Sequence, residues 1–298
     1  MNLDVIAAVL LAAVLAWLLV FLWGLVRGFS RRGGWWRAGR IAGAAAIALL
    51  VVGAGSYWLM NSRSVQLLGD HVDRVDTTRK VVAITFDDGP SDVYATQLLT
   101  DLRRYGARAT FYVIGAAASD HPVALRSLVT ARQEIGNHTF SHRRLVFVST
   151  AGAADEVDSA DAVIRAAGYR GPISVRPPYG KKLLSLPWEL RARDRVTVMW
   201  DLEPDSLEGI RDDAQAMTRY VVDNVRPGSI VLLHPWAEGN AATRQALPEI
   251  LAALQASGYS FVTVSELLAL RRAGQTQPSV AHARLSDNAR RNVNRLMY

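Results

Sequence analysis

Two neighbouring carboxylates, Asp87 and Asp88, follow an apolar run in the stretch VVAITFDDGPSD. Adjacent carboxylates repel, and burying even one is costly unless a cation compensates. A plain turn is one explanation, because Asp-Gly-Pro is ordinary turn chemistry and Ser91 or Asp92 can cap a following helix. The apolar residues ahead of the pair favour a site instead, since the end of a buried strand is an expensive place for idle charge. Further along, NHTFSH sets His138 and His142 four residues apart. On a helical turn two such imidazoles share a face and can bind one cation, although two helix-surface histidines have the same spacing. Two imidazoles and one carboxylate leave a coordination position open, as in hydrolytic zinc sites, where bound water has a pKa of about 7. RPPYG holds its backbone with two prolines and carries Arg176, whose planar fork can clamp a carboxylate or stand solvated on a rigid loop.

These residues need a scaffold, and the chain supplies an alternating pattern. KVVAITF, ATFYVIG, ISVRPP, VTVMWD, SIVLLH and FVTV are short, β-branched, apolar runs that predict buried strands. Helical stretches are expected at 92–105, 120–133, 151–167, 211–225 and 243–257. Such alternation implies parallel strands with helical crossovers, hence an α/β barrel or a doubly wound sheet. In both, chemistry collects at the carboxyl ends of the strands. Asp87 and Asp88, Arg176, Asp201 and His234 all stand at such ends.

Ahead of this domain, residues 5–26 and 41–60 carry no charge. A helix of about 20 residues covers roughly 30 Å, the thickness of a bilayer's hydrocarbon core. Two transmembrane helices are therefore expected, with a basic loop at 27–40. That loop carries Arg27, Arg31, Arg32, Arg37 and Arg40, and its charge places it in the cytoplasm and the rest outside. A buried hairpin, or cleavage near residue 55 after a signal segment, fits less well. The net charge of +7 falls to about +2 without those five arginines, which is weak steering for a nucleic-acid binder. Residues 1–60 are thus expected to form an anchor, 61–79 a linker, 80–270 the catalytic domain and 271–298 a basic mobile tail. There is no cysteine, so disulfides, thiolate ligands and a cysteine nucleophile are excluded.

In order and spacing, TFDDGP, HTFSH, RPPYG and LLH resemble the motifs of the NodB-like polysaccharide deacetylases, carbohydrate esterase family four. The resemblance runs from about residue 80 to 268. It implies a distorted (β/α) barrel with one divalent cation, usually zinc, held by Asp88, His138 and His142. It further implies Asp87 as catalytic base, Arg176 as its orienting partner and His234 as general acid. The Tyr179 main-chain N–H becomes an oxyanion donor, and Leu232 and Pro178 fall to substrate binding. The fourth motif departs from the pattern. Ser206 and Leu207 stand where the family has an Asp-Trp pair, leaving Asp205 or Asp201 as alternative tethers for His234.

The implied function is removal of N-acetyl groups from a cell-envelope or extracellular polysaccharide, peptidoglycan or a chitin-like N-acetylglucosamine polymer. The enzyme is expected to be multi-pass in a bacterial cell membrane, with its catalytic domain outside and no nucleic-acid partner. The altered fourth motif also admits a weak or inactive glycan-binding or scaffolding protein on the same barrel. Hydrolysis of another amide or ester is a third possibility.

Overall fold

The computed structural model describes residues 34–276. The first apolar segment, 5–26, and the tail beyond 276 lie outside the described residues, as do residues 27–33 of the basic connector.

Helix α1, Gly34–Asn61, begins inside the stretch expected to be a loop, so residues 34–40 are helical. Its Gly43–Asn61 portion is long and apolar enough to cross a membrane, and only 6% of it is buried against the rest of the molecule. Among the described residues it is the single such helix.

After the short strand β1, His71–Val72, comes β2, Val81–Asp87, buried along its whole length. The two-residue period of a strand divides its side chains. Val82, Ile84 and Phe86 pack outward with the surrounding helices, whereas Val81 and Ala83 belong to the inner core. Thr85 and Asp87 fall on that inner set, so the chain delivers one carboxylate to the mouth of the barrel interior. Burial of each large apolar side chain is worth about 1.5–3 kcal/mol, which makes this facing difficult to reverse.

Helix α2, Asp92–Arg104, buries Ala95, Leu98 and Leu102. Then follow β3, Thr110–Val113; α3, Gly115–Asp120; α4, Pro122–Thr130; and β4, Glu134–Asn137. The expected helix at 120–133 is thus two helices, and the residues preceding His138 form a strand that the polar sequence Glu-Ile-Gly-Asn does not advertise. Next come α5, Thr150–Ala166; α6, Ser185–Ala192; β5, Thr197–Val198; α7, Ala214–Asn224; and β6, Ile230–Leu233. The described chain closes with α8, Ala241–Ala256; β7, Ser260–Phe261; and α9, Val264–Thr276, which enters the expected tail.

Strands β4, β3, β2 and β6 are parallel neighbours in that order, and β7 pairs with the start of β2. Single bridges carry the circuit around the other side: Asn137 to Val175, Val175 to Thr197, and Leu202 to Val231. The result is a parallel barrel, distorted because the expected strand ISVRPP pairs only at Val175. Pro177 and Pro178 have no N–H to continue that ladder.

Candidate active site

The carboxyl ends of β2, β4 and β6 converge on a cavity of about 440 Å³ lined by Asp87, Asp88, His138, His142, Leu232 and His234, among others. Asp87, with only 3% of its side chain exposed, receives a hydrogen bond from Arg176 Nη1 at 2.7 Å. Arg176 is fully buried, and its other donors reach Thr85 Oγ1, the Val198 carbonyl and the Met199 carbonyl. Its guanidinium also lies 4.1 Å from the Tyr112 ring centre. A buried carboxylate is tolerable here because a buried cation has been fixed beside it.

Asp88 points a different way. Its Oδ1 is 3.1 Å from His142 Nε2 and 3.4 Å from His138 Nε2, yet that buried oxygen makes no hydrogen bond. His138 Nδ1 lies 2.8 Å from the Arg176 carbonyl. A carbonyl only accepts, so Nδ1 carries the proton, and in the neutral ring the Nε2 lone pair faces Asp88. One ligand atom from each of these three residues lies within 4.8 Å of the others. Lone pairs facing one another around an orphaned carboxylate oxygen fit a cation between them, and two nitrogens with one oxygen fit zinc. Burial alone would raise the Asp88 carboxyl, but where no cation is bound, proton donation and positive charge from His138, His142 and His234 in their protonated forms hold it well below the usual carboxylate range.

The two histidines do not share a helix, contrary to one expectation. They sit on a loop after β4 in which Thr139 and His142 have φ of 66° and 57°. Asp88 and Tyr179 also have positive φ, at 74° and 58°. Such conformations cost of order 1–3 kcal/mol each and persist where surroundings enforce them. The enforcing residues lie outside HTFSH. Asn137 Oδ1 accepts the Thr139 N–H at 2.7 Å, while its Nδ2 donates to the Val157 carbonyl and Asp161. From α5, Glu156 accepts the main-chain N–H groups of Phe140 and Ser141 and the Ser141 hydroxyl, and Arg143 closes on its other side. The His-x-x-x-His spacing gave no hint of Glu156, fourteen residues beyond His142; a buried acid on an otherwise amphipathic helix was the only signal. Gly89 is also fixed sterically, since a Cβ there would lie 2.1 Å from Trp236.

The departure at the fourth motif is resolved in geometry. Asp205, not Asp201, bonds His234, through Nδ1 at 3.2 Å and the main-chain N–H at 2.6 Å. Asp201 instead accepts from Ser229 Oγ and the Ile230 N–H at the opposite end of β6. Ser206 donates to Glu203, which also accepts from Trp200 Nε1. Tyr179 is 53% exposed and its ring stands 4.7 Å from that of His142. Leu232 is buried on the cavity wall, whereas Pro178 is buried but absent from that lining.

The fold and cavity define an α/β barrel whose strand ends bring together a cluster that could hold a metal ion, Asp88, His138 and His142, beside the buried Asp87 and the tethered His234. A polysaccharide deacetylase family model matches residues 74–193. A peptidoglycan-N-acetylglucosamine deacetylase of Bacillus cereus is 34% identical over 198 residues, 65% of this chain and 91% of that protein. The peptidoglycan-N-acetylmuramic acid deacetylase PdaC of Bacillus subtilis is 34% identical over 197 residues, and this chain spans 40% of its length. A solved structure of PdaC has a TM-score of 0.58 at 30% identity, covering 67% of this chain and 96% of that one. The chain belongs to the polysaccharide deacetylase family.

Proposed function

We propose that this chain is a metal-dependent N-deacetylase of a cell-envelope glycan, with peptidoglycan or another N-acetylglucosamine polymer as substrate. The reading is carried by one observation: Asp87 is buried and paired with Arg176 immediately beside the Asp88, His138 and His142 cluster. Names of the Bacillus relatives support the substrate class.

Asp88, His138 and His142 would hold a divalent cation, zinc by their donor set, which when bound would supply Lewis acidity and make water easier to deprotonate near neutral pH. Asp87, aimed by its hydrogen bond from Arg176, takes a proton from the attacking water. The Tyr179 main-chain N–H donates to the oxygen on which charge develops, and Leu232 bounds the space for the acetyl methyl. His234, held by Asp205, passes a proton to the departing sugar amine. Water and an acetamide thereby give acetate and a free amine. Pro178 acts through the turn that presents Tyr179.

The apolar helix α1 supports an anchored enzyme whose catalytic domain, from about residue 80 to 270, works outside the cytoplasm. Residues 61–79 then join anchor and barrel. A glycan-binding protein without turnover has less support, because Asp205 supplies the tether whose apparent loss suggested it.

Purified protein is incubated with N-acetylglucosamine oligomers and muropeptides, with and without chelator. Acetate release that stops on chelation and returns with zinc is expected. No chelator-sensitive release from any of these glycans would defeat the reading.

A further inference from the structure

The segment leaving α1 is part of the site. Asn61 and Arg63 line the cavity together with Lys181, Trp200 and Glu203. Three contacts fasten this segment to the barrel. Lys181 Nζ donates to Asn61 Oδ1, Lys182 Nζ donates to the Ser62 carbonyl, and the Lys182 main-chain N–H reaches the Met60 carbonyl at 3.3 Å. Lys182 is 1% exposed, and burial lowers its pKa to about 8. A buried ammonium is an expensive fastener, so the position of residues 60–63 is strongly specified.

Arg63 projects into this wall with little to hold it. Its Nη1 is 3.7 Å from Glu203 Oε2, beyond hydrogen-bond reach, and the two Glu203 oxygens already accept from Trp200 and Ser206 at 2.7 Å. The guanidinium lies 5.3 Å from the Trp200 ring centre, and 47% of the side chain is exposed. Among the described residues its planar fork of N–H donors makes no hydrogen bond, only the long ion pair to Glu203 and the contact with Trp200, and that fork matches a carboxylate. Lys181 adds a second positive charge on the same wall.

We propose that Arg63 determines substrate specificity by receiving a carboxylate on the sugar next to the one being deacetylated, so that acidic glycans are preferred to neutral ones. This rests on the deacetylase reading and extends it to a residue outside the expected catalytic domain. Neither the family motifs nor the barrel strands contribute Arg63; the connection to the apolar helix does.

Affinities of the full-length protein for two glycans of equal length test the proposal. One alternates N-acetylglucosamine with N-acetylmuramic acid bearing free lactyl carboxyls, and the other is a neutral N-acetylglucosamine oligomer. Wild type is expected to prefer the acidic strand, and Arg63→Gln to lower that preference about tenfold, the effect of losing one charge-assisted pair. Salt should erode the wild-type preference, and Arg63→Lys should restore part of what Gln loses. A wild type without preference, or a preference unchanged in Arg63→Gln, overturns the proposal. Equal weakening toward both glycans assigns Arg63 to supporting Glu203 and Trp200, and overturns it too. Acetate release is followed in parallel: if neither glycan yields acetate, the deacetylase reading falls, while the affinity ratio still decides the role of Arg63.

Discussion

Asp205 grips His234 twice, its Oδ1 standing 3.2 Å from Nδ1 and its Oδ2 accepting the main-chain N–H at 2.6 Å. Ring and backbone are held by one carboxylate, which leaves Nε2 for the cavity. Burial alone would lower the His234 pKa, but the bond to Asp205 and the charges of Asp205, Asp87 and Asp88 raise it to about 9.

In the metal-free protein, then, His234 should titrate near 9 when followed by NMR. Because the folded value lies above the ordinary 6.5, its contribution to stability is complete below about 6.5 and is lost as pH rises through about 9. Bound cation cancels part of the Asp88 field, so the basic limb of activity should fall between those two values. Asp205→Asn should move the titration down toward 6.5, and activity with it, whereas Asp201→Asn should leave it in place. Equal shifts in the two variants would show that the tether has been misassigned.

The Asp87 and Arg176 pair has a different signature. Removing one partner from a buried pair leaves an uncompensated charge, at a cost of about 3–5 kcal/mol. Arg176→Ala should therefore lower unfolding free energy by that amount in denaturant titration. Asp87→Asn keeps a hydrogen-bond acceptor and should cost less stability, yet reduce turnover by about 10²–10⁴ while retaining metal. A variant of Asp87 that loses its metal would place that residue among the ligands instead.

At Asp88 function and stability should separate. The carboxylate makes no hydrogen bond through its buried Oδ1, and its φ is 74°. Asparagine tolerates this backbone region and carries no charge to bury. With His138 and His142 neutral, metal-free Asp88→Asn should thus melt no lower than metal-free wild type, while elemental analysis finds its metal gone. Loss of metal is equally expected for His138→Ala and His142→Ala. A lower melting temperature for metal-free Asp88→Asn would mean that the cluster is held together without an ion.

Much of this site was legible in the chain because each motif is local. Asp87 and Asp88 follow an apolar strand, RPPYG is stiffened by its own prolines, and His234 ends SIVLLH. What escaped depends on contacts distant in sequence. Strand β4 reads as polar because Glu134, buried there, accepts the Ser265 N–H at the start of α9. The histidine pair reads as helical because nothing in its spacing announces two positive φ angles. Asp201 and Asp205 are equally plausible tethers until β6 places Ile230 beside one and His234 beside the other. Arg63 reads as linker because its role depends on where α1 meets the barrel.

Glu156 offers the strictest test of how the ligand loop is kept in place. It touches no candidate metal ligand, but its carboxylate accepts Phe140 N–H at 3.0 Å, Ser141 N–H at 2.8 Å and Ser141 Oγ–H at 2.6 Å. These bonds hold the loop from His138 to His142, in which the positive φ angles of Thr139 and His142 must be maintained. Glu156→Ala would leave two N–H groups unsatisfied, costing about 1–3 kcal/mol each if no water replaces the oxygen. It should also weaken metal affinity about 10–100-fold, the usual penalty for losing a supporting contact behind a ligand. Glu156→Gln, with one acceptor oxygen, should recover part of both losses. Competition against a chelator measures the affinity, and thermal unfolding without metal measures the structural share. If affinity were unchanged while stability fell, the loop would be set by Asn137 and the backbone alone, and Glu156 would belong to the fold rather than to the site.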